Sequence, residues 1–165
     1  MALLKPDEYL SSVLKIDPQA LVARGFVALL LDVDNTLVPR GTAAIPSEVR
    51  TWVARCTSCG LRLCLLSNNW HKVVFHYAEE LKLPLVYKAM KPLPFAFLRA
   101  LGKIGQKPRH AVVVGDQLMT DVLGAHLCGG MHAILVQPQS HIDLKHTLLL
   151  RKIERAFMGD LQPRE

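Results

Sequence analysis

Short, almost wholly apolar runs alternate along the chain with longer amphipathic stretches. The runs at 27–33, 61–67, 85–87, 111–115 and 133–136 are built mainly from Leu, Val and Ala. Apolarity on both faces marks covered strands, as in a parallel sheet. Helical patterns lie between them. The stretch 47–59 opens near Ser47 and stops at Gly60, and 70–81 stops before Pro84. The stretch 92–101 opens on a proline, whose missing N–H costs little in a first turn, and 119–128 stops at Gly129-Gly130. This alternation predicts a three-layer, doubly wound α/β fold around a mostly parallel five-stranded sheet with right-handed crossovers. Two short helices, 7–14 and 18–23, are expected before the first strand. A last helix is expected at 146–157, with Leu149, Leu150, Ile153, Ala156 and Phe157 on its apolar side. The reading is one domain over 1–165, with an N-terminal helical segment at 1–26 and a C-terminal helix within 138–165.

Composition narrows the function classes. Half of the 165 residues are hydrophobic, which suits a packed core rather than disorder. The net charge of +6 favours anionic partners: phosphorylated substrates, acidic lipid head groups or nucleic acid. Lys and Arg are spread along the chain, and no aromatic-rich strand or finger motif accompanies them, so no nucleic-acid partner is expected. Cys64 and Cys128 read as buried thiols. Cys56-x-x-Cys59 closes a helical pattern and has no second ligand pair, which argues against zinc. Free thiols suit a reducing compartment. Asp7 and Glu8 follow the first residues at once, unlike a signal or transit peptide. The longest apolar run, 26–31, falls far short of the roughly 20 residues that span a bilayer. The expected location is cytoplasmic, with at most peripheral contact at an anionic membrane surface.

Ligands of such folds bind at the carboxyl ends of the strands. Asp32, Asp34, Asn35 and Thr36 follow the first apolar run. Ser67, Asn68 and Asn69 follow the second, and Lys88 and Lys91 the third. Asp116 follows the fourth, with Asp121 five residues on. If Asp32, Asp34 and Asp116 converge, their repulsion is relieved by a hard cation, and an oxygen-only donor set suits Mg²⁺ better than zinc. An incoming phosphoryl group needs fixed positive charge and donors, which Lys91, Ser67 and Thr36 can supply. A carboxylate in line with phosphorus can act as nucleophile.

Asp32-Val33-Asp34-Asn35-Thr36-Leu37 resembles the first motif of the haloacid dehalogenase (HAD) superfamily of phosphatases. Leu66-Ser67-Asn68-Asn69 resembles its second motif, Lys91-Pro92 its third, and Gly115-Asp116 through Asp121 its fourth. Four motifs in order over residues 26–137 are far more specific than one. The resemblance implies a Rossmann-like, HAD-like fold and an aspartyl-phosphate mechanism with Mg²⁺ as cofactor. Asp32 is then the nucleophile and a metal ligand, and Asp34 the general acid and base, touching the metal through its backbone carbonyl. Asp116 ligates the metal, and Asp121 acts at it through water or holds Lys91. Thr36, Ser67, Asn68 and Lys91 bind the transferring phosphoryl, with Lys88 the alternative lysine.

The gaps between motifs leave no room for a cap domain, so the site is expected to be open. The chain as a whole is similar to the small capless YqeG-type branch, whose relatives include phosphatidylglycerophosphate phosphatases. That implies a phosphorylated small-molecule or phospholipid substrate. The competing function is a phospho-receiver-like signalling module, which holds phosphate without turnover. Against it, the first strand carries the spaced Asp-x-Asp-x-Thr, and the general-acid position is filled.

Overall fold

The computed structural model describes residues 2–140 and 162–165. Its frame is one parallel sheet. In chain order the strands are β1 (Glu8–Leu10), β2 (Ala28–Leu31), β3 (Arg62–Leu66), β4 (Leu85–Val86), β5 (Ala111–Gly115) and β6 (His132–Val136). Their spatial order is β1-β6-β5-β2-β3-β4, and every pairing is parallel. The α-helices are α1 (Pro18–Ala23), α2 (Ser47–Ser58), α3 (Val73–Leu81), α4 (Pro94–Ile104) and α5 (Leu123–Leu127). Only α2 separates β2 from β3, and only α3 separates β3 from β4, so neither connection holds a cap domain.

Alternation along each strand sorts the side chains into two cores. Leu29, Leu31, Leu63, Leu65, Val112 and Val114 join one layer with Val49, Trp52, Val53 and Cys56 of α2 and Tyr77 of α3. Ala28, Leu30, Cys64, Leu66 and Val113 join the other with Phe97, Leu101 and Ile104 of α4 and Ala125 of α5. Both faces of the sheet are therefore dry, which is why these strands read as unbroken apolar runs. Gly124 lets α5 sit against α4: a Cβ there would lie 2.2 Å from the Phe97 ring.

Three expectations are corrected. The sheet has six strands, not five. Residues 7–14 do not form a helix: Glu8–Leu10 is a strand, and a 3-10 turn follows at Val13–Lys15. The β6 edge offers a row of backbone groups that the amphipathic pattern does not reveal. Asp7 N–H donates to the Ala133 carbonyl (2.9 Å), and Gln137 N–H to the Leu10 carbonyl (3.1 Å). Ser12 meanwhile caps the short turn by accepting from Leu14 N–H. Arg164 pairs across β1, donating to the Tyr9 carbonyl at 2.8 Å. The helix expected from 119 is instead a π-helical turn, Leu118–Val122, that runs into α5. Such turns recur at functional sites. The helix expected at 18–23 is present as α1, and the one expected at 146–157 lies outside the described residues.

Candidate active site

The β2 tip continues past its last strand residue: Asp32 N–H still donates to the Val114 carbonyl at 2.9 Å. The chain then folds sharply. Leu37 and Val38 N–H both donate to the Val33 carbonyl, and Asn35 takes a left-handed conformation (φ +63). Asn tolerates that region better than most residues. The turn is clamped from behind by the segment after β6. Gln139 Nε2 donates to the Thr36 carbonyl at 2.6 Å, and Ser140 Oγ donates to Asn35 Oδ1 at 2.6 Å.

Lys91 organises the centre. Its ammonium donates to Asp32 Oδ1 at 2.6 Å and to Asp121 Oδ1 at 2.7 Å, and all three side chains are buried. Thr36 Oγ1 donates to the other Asp32 oxygen at 2.9 Å. Asn68 grips the Lys91 backbone from both sides, accepting from its N–H at 2.8 Å and donating to its carbonyl at 3.2 Å. Lys88 sits elsewhere, exposed, its ammonium 4.4 Å from the Trp70 ring centre. Of the two lysines, Lys91 is the one that contacts the carboxylates.

Asp32, Asp116 and Asp121 bring carboxylate oxygens within 4.8 Å of one another, all buried. The Asp34 carboxylate stands outside this trio and accepts from Asn69 Nδ2 at 3.0 Å. Three clustered oxygen donors fit a hard divalent cation, and no thiol or imidazole among the described residues joins them. Gly115 makes the cluster possible. A Cβ at that position would fall 2.2 Å from Asp121 Cγ, so only glycine admits this carboxylate. Asp121 is also held by Gln117 N–H at 3.3 Å, at the start of the π-helical turn.

The electrostatics follow from burial. Desolvation opposes the Lys91 ammonium, but Asp121 and Asp32 outweigh it and raise its pKa. Two carboxylates share this one ammonium, so one remains undercompensated. Asp121 is that one: burial pushes it up to about 6, Asp32 adds to the rise, and Lys91 opposes it. Asp34 is also raised, first by burial and then by the Asp32 charge, against the pull of Arg40.

A cavity of about 770 Å³ opens above this centre. Asp32, Asp34, Asn68 and Lys91 are on its wall, joined by Arg40, Trp70, His71, Tyr77, Gln117 and Thr120. Thr36, Ser67, Asp116 and Asp121 are buried and are not on that wall. Ser67 Oγ accepts from Asn69 N–H at 3.0 Å. Sequence reasoning missed Arg40, whose Nε is buried and makes no hydrogen bond among the described residues. Its signal was weak: a single arginine six residues past Asp34 in a loop with no helix or strand pattern.

Clustered carboxylates and a fixed ammonium at the tips of a parallel sheet define the class, a hydrolase of α/β architecture that handles phosphoryl groups. Comparison with known proteins agrees. The HAD-hydrolase-like family profile matches residues 89–146. The chain is 35% identical over 157 residues to "Probable phosphatase YqeG" of Bacillus subtilis, covering 95% of this chain and 91% of that protein. Two solved structures share the fold. The cobalt-bound deoxy-D-mannose-octulosonate 8-phosphate phosphatase of Haemophilus influenzae has a TM-score of 0.55 at 11% identity, over 86% of this chain and 90% of that one. The magnesium-bound HAD-hydrolase YfnB of Bacillus subtilis has a TM-score of 0.54 at 12% identity, over 73% and 91%. The chain belongs to the YqeG-type capless phosphatases of the HAD superfamily.

Proposed function

We propose that this phosphatase hydrolyses phosphate monoesters with Mg²⁺ through an aspartyl-phosphate on Asp32. The observation that carries the reading is the Lys91 ammonium bridging Asp32 and Asp121 inside a trio of carboxylates. Asp32 Oδ attacks phosphorus as the ester P–O bond breaks. Asp34, its pKa raised by burial, gives its proton to the departing alkoxide. The resulting Asp34 carboxylate then takes a proton from water, whose oxygen attacks the phospho-aspartate and frees inorganic phosphate. Asp32, Asp116 and Asp121, with the Asp34 backbone carbonyl, are the groups that would hold Mg²⁺, which supplies charge neutralisation at the phosphoryl oxygens.

Lys91 and Thr36 position Asp32, and Lys91, Ser67 and Asn68 with the adjoining backbone bind the phosphoryl group. Asn68 acts mainly by setting Lys91. Arg40 faces the leaving group, where a second anionic group would satisfy its buried Nε. An uncapped cavity and a net charge of +6 favour a substrate presented on an anionic surface, and we assign a lipid phosphate of the phosphatidylglycerophosphate type, reached from the cytoplasm.

Phosphate release from p-nitrophenyl phosphate tests the reaction. Excess chelator should stop it, added Mg²⁺ should restore it, and Asp32→Asn should abolish it while leaving the circular dichroism unchanged. Normal turnover by Asp32→Asn ends the nucleophile assignment.

A further inference from the structure

We infer that the surface around β4 and along the outer side of α4 is a docking face for an anionic lipid bilayer. The inference deepens the lipid-phosphate reading above by naming where the protein meets its substrate's surface. Residues 81–115 contain seven Lys or Arg, six of them exposed and the seventh the buried Lys91, and no Asp or Glu, in a chain that has 14 acidic residues elsewhere. This stretch contains β4 and α4. It also carries a concentration of exposed apolar side chains.

Trp70, on the cavity wall, is 69% exposed, Met90 is 56% exposed, and Tyr87 and Leu93 are exposed as well. The Lys88 ammonium lies 4.4 Å from the Trp70 ring centre and 5.7 Å from that of Tyr87. Phe75 extends the cluster, its ring centre 4.7 Å from that of Tyr87. Lys88 (φ +48) and Met90 (φ +61) both occupy the left-handed region, and both end with exposed side chains. Backbone cost of this kind collects where a surface has a use.

The helix repeats the pattern. α4 buries Ala96, Phe97, Ala100, Leu101 and Ile104 against the sheet. Its outer side presents Phe95, Leu98 and Arg99, spaced three and four apart and all exposed. A helix with one apolar face in the core needs no second. Aromatic and aliphatic tips mixed with the cations of the acid-free stretch 81–115 match the depth profile of a membrane interface, where rings sit at head-group level and cations meet lipid phosphate. A nucleic acid would not reward Met90, Leu93 and Leu98, and a stretch rich in exposed cations with no acid of its own suits an anionic partner better than an ordinary protein surface. Trp70 also lines the catalytic cavity, so docking here brings the bilayer to its mouth.

Co-sedimentation with sucrose-loaded vesicles tests this, using phosphatidylcholine alone and an equal mixture with phosphatidylglycerol. The protein should partition onto the mixed vesicles and not the neutral ones, with salt weakening the binding. Phe95→Ser with Leu98→Ser should lower partition by about tenfold or more. Arg99→Ala should lower it roughly fivefold. Hydrolysis of water-soluble p-nitrophenyl phosphate should be unchanged in both, which shows that each variant is folded. Equal binding to both vesicle types, or variants that bind like the parent, overturns the docking face. A dimer in solution that these variants dissociate, without vesicle binding, assigns the face to a second copy and overturns it too. If the parent sediments as expected yet never hydrolyses the soluble ester, the phosphatase chemistry fails while the docking face stands.

Discussion

Gly115→Ala is a small change whose consequence the geometry sets. The new methyl would lie 2.2 Å from Asp121 Cγ and 2.3 Å from its Oδ2, where real contacts do not fall below 3.0 Å. The carboxylate must retreat by about 0.8 Å. It now accepts from Lys91 at 2.7 Å, and a useful hydrogen bond ends near ~3.2 Å. Asp121 therefore leaves either Lys91 or the carboxylate cluster. A misplacement near 1 Å in such a constellation costs about a hundredfold in rate. Overpacking the strand end should cost about 1–3 kcal/mol in stability, so the fold survives. The assay is phosphate release from p-nitrophenyl phosphate as Mg²⁺ is titrated, with thermal melting alongside. The expected result is a raised Mg²⁺ requirement, a kcat lower by about two orders of magnitude, and a Tm lower by a few degrees. Because the methyl acts through Asp121, adding it to Asp121→Asn should cost little more. Full activity of Gly115→Ala at the parent's Mg²⁺ level, or losses that simply add, would refute the reasoning.

Three further outcomes are expected. Asp34→Asn should lower steady-state turnover by about 10²–10⁴-fold, with the single-turnover burst from p-nitrophenyl phosphate less affected than that from an alkyl phosphate, because nitrophenolate leaves without a proton; equal losses on both would remove the general acid. Burial pushes the Cys56 and Cys64 thiols up to about 12, and also raises Cys128, so Ellman's reagent on the native protein should react first with half-buried Cys59 and reach the others only on unfolding. Burial opposes the Asp7 and Glu8 carboxylates, but the Ala133 N–H and His126 for Asp7, and Arg24 and His132 for Glu8, hold both below their ordinary values of 3.8 and 4.5. Their stabilisation is present above those values and fades as pH falls through the lower folded ones, so Asp7→Asn should flatten the acid limb of Tm against pH, and an unchanged limb would exclude Asp7.

Much of the protein was legible because its signals are local. Runs such as 28–31, apolar at every position, suit interior parallel strands, and a polar cluster at the end of each run marks the sheet edge where ligands gather. Asp32, Asp34, Ser67, Lys91, Asp116 and Asp121 were singled out that way, and the resemblance to a known family rests on the same residues. What stayed hidden depends on partners distant in sequence. Glu8–Leu10 is a strand because β6 exposes an edge more than 120 residues later, and its own pattern does not say so. Lys91 rather than Lys88 enters the cluster because Asn68 clamps its backbone. Arg40 reaches the cavity wall from a featureless loop. Sequence by itself determined which chemical groups stand at the strand tips, since periodicity and residue type are properties of short segments. Only the tertiary structure decided which of them touch, because a contact of 2.6 Å is set by the packing of the whole sheet and not by any segment alone.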